Sequence, residues 1–250
     1  MRRTGSTFVV RFFSVIVFFL AWEIGAHAAG SPHLPPATAV LRAIADEIAH
    51  GGLVHHFAMT LFRVLVSFVL AMLIGTVIGF VMGRSRTMDA ALDSWIVLLL
   101  NLPALVAIVL AYIWFGLTEV AAIGAVTLNK LPLVAVTLRE GARALDPDYA
   151  DVARVFRIGT WRRLRHIIFP QLAPFLVVSA RSGLSLIWKI VLVVELLGRS
   201  DGVGFQIQLY FQLFDVTRVL AYAIAFVAVV QAIEWAILQP VERRIGRWRR

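Results

Sequence analysis

Long apolar runs alternate with short basic segments along the whole chain. Within each run the apolar residues continue all round a helical wheel for the length of a bilayer span, instead of repeating at period 3.6 or 2 as in a soluble core. The pattern predicts an all-α, polytopic membrane protein, a single domain over 1–250 with six transmembrane helices. They are placed at about 8–29, 57–83, 90–115, 120–138, 172–197 and 220–239, with a core over about 57–239. The first has a basic head and Ala26-His27-Ala28, as a cleaved signal peptide does. Its apolar run from Phe12 to Ala29 is longer than such a segment needs, so a retained helix is expected.

Between the runs the pattern changes. Thr38–His50 places Val40, Leu41, Ile44, Ala45 and Ile48 at helical spacing, predicting a short amphipathic helix outside the membrane. His55 and His56 fall in a polar, solvated loop. Gly75, Gly79 and Gly83, four residues apart, share one helix face and predict a packing seam. Pro103 is expected to kink the third span, and Asn129, Lys130 and Pro132 to interrupt the fourth. Trp114-Phe115-Gly116 with Glu119 make a tight exit, and a Gly-containing loop fills 198–215.

Composition agrees: 60% of residues are hydrophobic and 16% charged, against about 45–50% and 25% in soluble domains. The net charge of +9 is almost all arginine and clusters between runs, which is how membrane topology is signalled and not how a nucleic-acid surface is built. Arg2, Arg3, Arg11, Arg84, Arg86, the arginines of 139–171 and those of the tail fall on one side; Arg42, Arg199 and Arg218 fall on the other. Both termini are therefore expected in the cytoplasm. The chain has no cysteine, which removes thiol chemistry and Cys-ligated metal. No P-loop, HExxH, GxSxG or paired-carboxylate pattern is present, so no catalytic, metal or cofactor site is expected on this chain. A stand-alone secondary carrier and a membrane-embedded enzyme are the alternatives. A carrier is expected to show internal repeats, and the single set of six spans points instead to half a transporter.

The longest charged interval, 139–171, contains Asp151 to Pro170. Asp146-Pro147 is a helix start, Asp capping free N–H groups and Pro occupying the first turn. Tyr149, Val152, Ala153 and Phe156 form one apolar stripe, with Asp151, Arg154 and Arg157 turned away. Gly159 is expected to turn left-handed and end the helix, Thr160 to cap the next, and Pro170 to close it. The result is a cytoplasmic helical hairpin between the fourth and fifth spans. It is either held to anionic lipid by snorkelling arginines or inserted into a partner.

This segment resembles the E-A-A loop of ABC importer permeases, with its pattern of E-A-A, three residues, G, nine residues and I-x-L-P. In register, Asp151, Val152 and Ala153 stand for E-A-A, Arg157 for Gly, and Ile167, Phe169 and Pro170 for I-x-L-P. The chain departs from the pattern at Asp151, Val152, Arg157 and Phe169, with Gly159 the nearest glycine. Gly141-Ala142-Arg143 with Asp146-Pro147 resembles the lead-in of the sulfonate, taurine, nitrate and thiamine-precursor permeases. Thr60-Leu61-x-Arg63, Trp114-Phe115-Gly116 before Glu119, Trp188 with Glu195, and Gly202-Val203-Gly204 are similar to the same subfamily. The resemblance implies a bacterial inner-membrane importer permease and makes Asp151, Val152, Ala153, Phe156, Arg157, Gly159, Ile167, Phe169 and Pro170 an ATPase-coupling loop. It also implies a dimer of ATPase subunits carrying Mg-ATP, a second permease copy, and an external solute-binding protein that delivers a small solute.

Charges within spans mark candidate path residues. Lys130, Lys189, Arg181 and Glu195 are the candidates. Arg181 and Glu195 share a helix face while Lys189 sits off it. Lys189 reads as a pathway cation or half of a packing ion pair with Glu195 or a group near Lys130, and Arg181 as either a path residue or a snorkelling one. A cation in the path would suit an anion such as a sulfonate or nitrate; a pyrimidine-like solute is the other substrate class.

Overall fold

The computed structural model describes residues 4–238, and among these every regular element is helical. The helices are α1 (Thr4–Ala29), α2 (Ala37–Ala49), α3 (Leu53–Arg84), α4 (Arg86–Asn101), α5 (Ala104–Phe115), α6 (Glu119–Arg143), α7 (Pro147–Val155), α8 (Thr160–Arg163), α9 (Phe169–Gly198), α10 (Val203–Gln212) and α11 (Val216–Ile233). Two π-helical turns, Leu164–Ile168 and Glu234–Leu238, extend α8 into α9 and continue α11. The arginine tail beyond 238, used above to orient the chain, lies outside the described residues.

Among the described residues, four helical stretches are long and apolar enough to cross a membrane: Leu53–Arg84, Glu119–Arg143, Thr160–Gly198 and Val216–Ala236. The broken pair α4 and α5 makes up to five. Phe13–Ala29 is a shorter apolar helix.

At the centre α6 packs against α3, α5 and α9. The glycine ladder sets the closest of these contacts. A Cβ on Gly75 would stand 2.7 Å from Val134 Cβ, one on Gly79 2.9 Å from Leu138 Cβ, and one on Gly83 2.6 Å from Ala142 Cβ. Only a glycine face allows α3 this near α6, so the ladder is the seam its spacing predicts.

Four local expectations are corrected. The third span is broken, not kinked: α4 and α5 meet at 99°. Leu102, the residue before Pro103, is forced out of helical geometry (φ −73°, ψ 118°). The fourth is not interrupted, because α6 runs through Asn129, Lys130 and Pro132. Packing of α6 on several neighbours outweighs the cost of about 3 kcal/mol for an interior proline. The 198–215 loop contains α10, anchored by buried Val203, Gly204 and Gln206. His56 lies in the first turns of α3, not in a solvated loop; its Nδ1 accepts from Gly202 N–H at 3.0 Å.

Candidate functional site

The segment over 146–171 begins as its sequence dictates. Asp146 Oδ1 accepts the Asp148 N–H at 2.9 Å, and Pro147 occupies the first position of α7. The end of α7 is different. The left-handed residue is Arg157, at φ 48°, while Gly159 takes φ −60° and ψ 150°. Ile158 N–H donates to Ala153 O at 2.9 Å and Arg157 N–H to Arg154 O at 3.2 Å. These two bonds define a Schellman cap with Arg157 where glycine is usual.

The cap of α8 is the Gly159 backbone, without a side-chain bond from Thr160, which is the first helical residue. Nor does Pro170 close a second short helix. A π-helical turn over Leu164–Ile168, with Phe169 N–H reaching Leu164 O, carries the chain into α9. The wider turn relieves the clash between a proline ring and the carbonyl four residues back.

Of the apolar stripe, Ala153 is buried, whereas Tyr149, Val152 and Phe156 are exposed, Phe156 at 75%; Trp161 of α8 is exposed at 71%. Asp151 is exposed and pairs with Arg154 at 3.2 Å. Ile167 is half-buried and Phe169 exposed. Large apolar side chains thus stand out from α7, capped at both ends, and from the start of the stretch that leads into α9.

At the opposite ends of the helices lies a buried ionic cluster around Arg63, which is 1% exposed. Its Nη1 donates to Glu195 Oε1 at 2.8 Å and to Asp201 O at 2.9 Å. Nε and Nη2 donate to the two oxygens of Glu119 at 3.0 and 2.6 Å, and Nη2 also pairs with the Asp201 carboxylate. Glu195 Oε2 accepts from the Thr60 hydroxyl and from Gly204 N–H, each at 2.9 Å. Arg199 Nη2 donates to Glu119 at 2.7 Å. Burial pushes the Asp201 carboxyl up, but the Arg63 guanidinium holds it below the usual carboxylate range.

The glycines are part of this cluster. Gly202 adopts φ 106°, and a Cβ on Gly204 would stand 2.8 Å from Glu195 Cβ. The backbone after α9 can wrap the buried carboxylate only without side chains there. Beside it, Glu47 of α2 accepts from Tyr210 at 2.9 Å and Tyr222 at 2.8 Å, and Arg218 Nε lies 3.3 Å away. Burial first, then the bond to Glu47, pushes the Tyr210 hydroxyl up to about 12. Sequence reasoning reads Glu47 only as an acid offsetting Arg42 and gives it no place in a site, since helical spacing does not show which distant residues it meets.

The four in-span charges separate. Lys189 and Arg181 are exposed and border a groove of about 780 Å³ between α9 and α11, with Ser182, Ser185 and Gln231. Glu195 lies in the core and pairs with Arg63, not with Lys189. Lys130 is 2% exposed in α6, against Gly183 of α9, and its Nζ has no hydrogen-bond partner among the described residues.

Residues 71–239 match the family described as the binding-protein-dependent transport system inner membrane component. The chain belongs to that family. It is 28% identical to a Bacillus subtilis protein described as an aliphatic sulfonates transport permease, over 93% of this chain and 85% of that one. To the taurine transport system permease protein of Escherichia coli it is 27% identical, over 91% and 84%. To the nitrate import permease protein of Synechocystis it is 26% identical, over 77% and 73%. Among solved structures, an inward-facing form of the MetNI methionine ABC transporter aligns with TM-score 0.66 at 18% identity, covering 80% of this chain and 98% of that one. An amino acid ABC transporter aligns with TM-score 0.59 at 22% identity, over 77% and 93%. The fold is therefore that of ABC transporter permeases, and the chain is a multi-pass transport permease.

Proposed function

We propose that this permease is the membrane half of an ATP-driven importer, and that α7, the Arg157 turn and α8 form its coupling element. The observation that carries this reading is the capped hairpin with Phe156 and Trp161 standing exposed beside it. Exposed aromatic groups on a rigid support are what a partner's cleft can grip. The partner is a dimer of ATPase subunits that carries Mg-ATP; this chain holds no cofactor. Asp151, Val152, Phe156 and Arg157 form the contact rim, Ala153 and Gly159 shape its backbone, and Ile167, Phe169 and Pro170 pass the motion into α9.

In this reading the chain crosses the inner membrane six times, α1 and the α4–α5 pair each counting once, with both termini cytoplasmic. Two copies, expected to be identical, face each other, and an external binding protein delivers the solute. Lys189 and Arg181 lie along the path, Lys130 behind it, and Glu195 fixes the outer end of α9. The relatives and the two exposed cations support a small anion of the sulfonate or nitrate kind, with pyrimidine-like solutes second.

The test is reconstitution of the permease with its ATPase subunit and binding protein in vesicles. Phe156→Asp is expected to abolish ligand-stimulated ATP hydrolysis and uptake while the chain still inserts. Uptake by the permease alone, driven by an ion gradient, would refute the proposal.

A further inference from the structure

A cavity of about 470 Å³ opens beneath the hairpin, between α7, α8 and the end of α3. Its polar lining is Arg84, Arg154 and Arg163 with Asp146, Asp151, Thr160 and Gln171; Phe80, Leu145 and Leu164 are among its apolar walls. One oxygen of each acid is engaged elsewhere. Asp151 pairs with Arg154, and Asp146 caps α7. Arg84 forms no ion pair among the described residues, and the Nε of Arg163 is buried without an acceptor. Exposed Arg84 and half-buried Arg163 thus border a cavity in which neither acid pairs with them, and the unmatched buried Nε of Arg163 is costly.

Position narrows what can match them. Arg84 is the last residue of the membrane-crossing α3, and Arg163 lies at the start of another crossing stretch, Thr160–Gly198. The cavity thus sits where hydrocarbon gives way to water. Guanidinium forks match phosphate oxygens two at a time. A free phosphate would leave the apolar walls uncovered, whereas a lipid headgroup satisfies the arginines and continues into acyl chain against Phe80, Leu145 and Leu164.

We propose that this cavity binds the phosphate headgroup of an anionic phospholipid, tying the hairpin to the membrane surface. The site adjoins the exposed face assigned above to the ATPase and shares Asp151 with it, while Arg84 and Arg163 lie outside that face. It stands whether or not that assignment holds.

Native mass spectrometry of the full-length permease, purified in detergent with equal amounts of phosphatidylglycerol and phosphatidylcholine, tests it. The wild type is expected to retain phosphatidylglycerol preferentially, and Arg84→Gln with Arg163→Gln to reduce that retention about tenfold. Arg162→Gln, exposed and outside the cavity lining, is expected to leave it unchanged. Equal retention of both lipids by the wild type, or equal loss in the Arg162→Gln control, overturns the proposal. So does displacement of the lipid by millimolar inorganic phosphate, which would make the site one for free phosphate. Should the double variant misfold, hydrogen exchange on the wild type decides: phosphatidylglycerol, and not phosphatidylcholine, is expected to protect the 160–171 amides, and equal protection by both overturns the proposal.

Discussion

Arg63 on α3 and Glu195 on α9 form an ion pair at 2.8 Å with side-chain exposures of 1% and 0%. Removing either partner leaves the other buried with less compensation, which costs about 3–5 kcal/mol. Arg63→Ala and Glu195→Ala are each expected to lower the thermal midpoint of the purified chain markedly. The double variant is expected to lose less than the sum of the singles, by about 0.5–3 kcal/mol. Strictly additive losses would show that the two residues do not act as a pair.

Arg157 holds φ 48° at the end of α7. A left-handed conformation costs a residue with a Cβ about 1–2 kcal/mol. Arg157→Gly is therefore expected to tighten the turn, slowing exchange of the Ile158 amide about fivefold for each 1 kcal/mol gained. Arg157→Val is expected to have the opposite effect, because branching at Cβ worsens the same clash. Faster exchange in the glycine variant would mean that side-chain contacts of Arg157, not its backbone, set the turn.

The Arg63–Glu195 pair and the Arg157 turn show what the sequence reveals and what it hides. Apolar runs, the Asp146-Pro147 start and the glycine ladder act through neighbours three or four positions away, so their consequences can be read locally. The turn at Arg157 could not be placed from residue preference, because Gly159 is the better left-handed residue. The Schellman bonds from Arg157 and Ile158 to Arg154 and Ala153 decided it. Likewise Thr60, Arg63, Glu119, Glu195 and Gly202 carried a family resemblance as separate fragments. Nothing in helical periodicity says that they meet, because pairing between distant helices is fixed by the packing of α3, α6 and α9. For that reason the sequence offers Lys189 as one of several readings for a partner of Glu195, which is found with Arg63.

The α3–α6 seam gives a test with an internal control. A Cβ on Gly79 would lie 2.9 Å from Leu138 Cβ, and on Gly124 it would meet nothing within 4 Å. Gly79→Leu is expected to lose about 1–3 kcal/mol through overpacking. Gly124→Ala is expected to gain up to about 1 kcal/mol from helix propensity. Thermal melts of the two variants beside the wild type check both signs, and equal effects would deny the seam.

Asp201 lies between α9 and α10; burial pushes its carboxyl up, but the bond to Arg63 together with the charges of Arg63, Arg199 and His55 holds it below its usual value of 3.8. A carboxyl lowered on folding contributes stability that is fully present above its unfolded value and lost as pH falls through the folded one. At neutral pH Asp201→Asn is therefore expected to melt earlier than the wild type. As pH falls below about 4, where unfolded Asp takes up its proton, the wild type loses this contribution and the variant has none to lose. The gap between their melting curves should narrow on acidification. A gap that widened instead would place the acid-sensitive contribution on another group and remove Asp201 from the Arg63 cluster's electrostatic account.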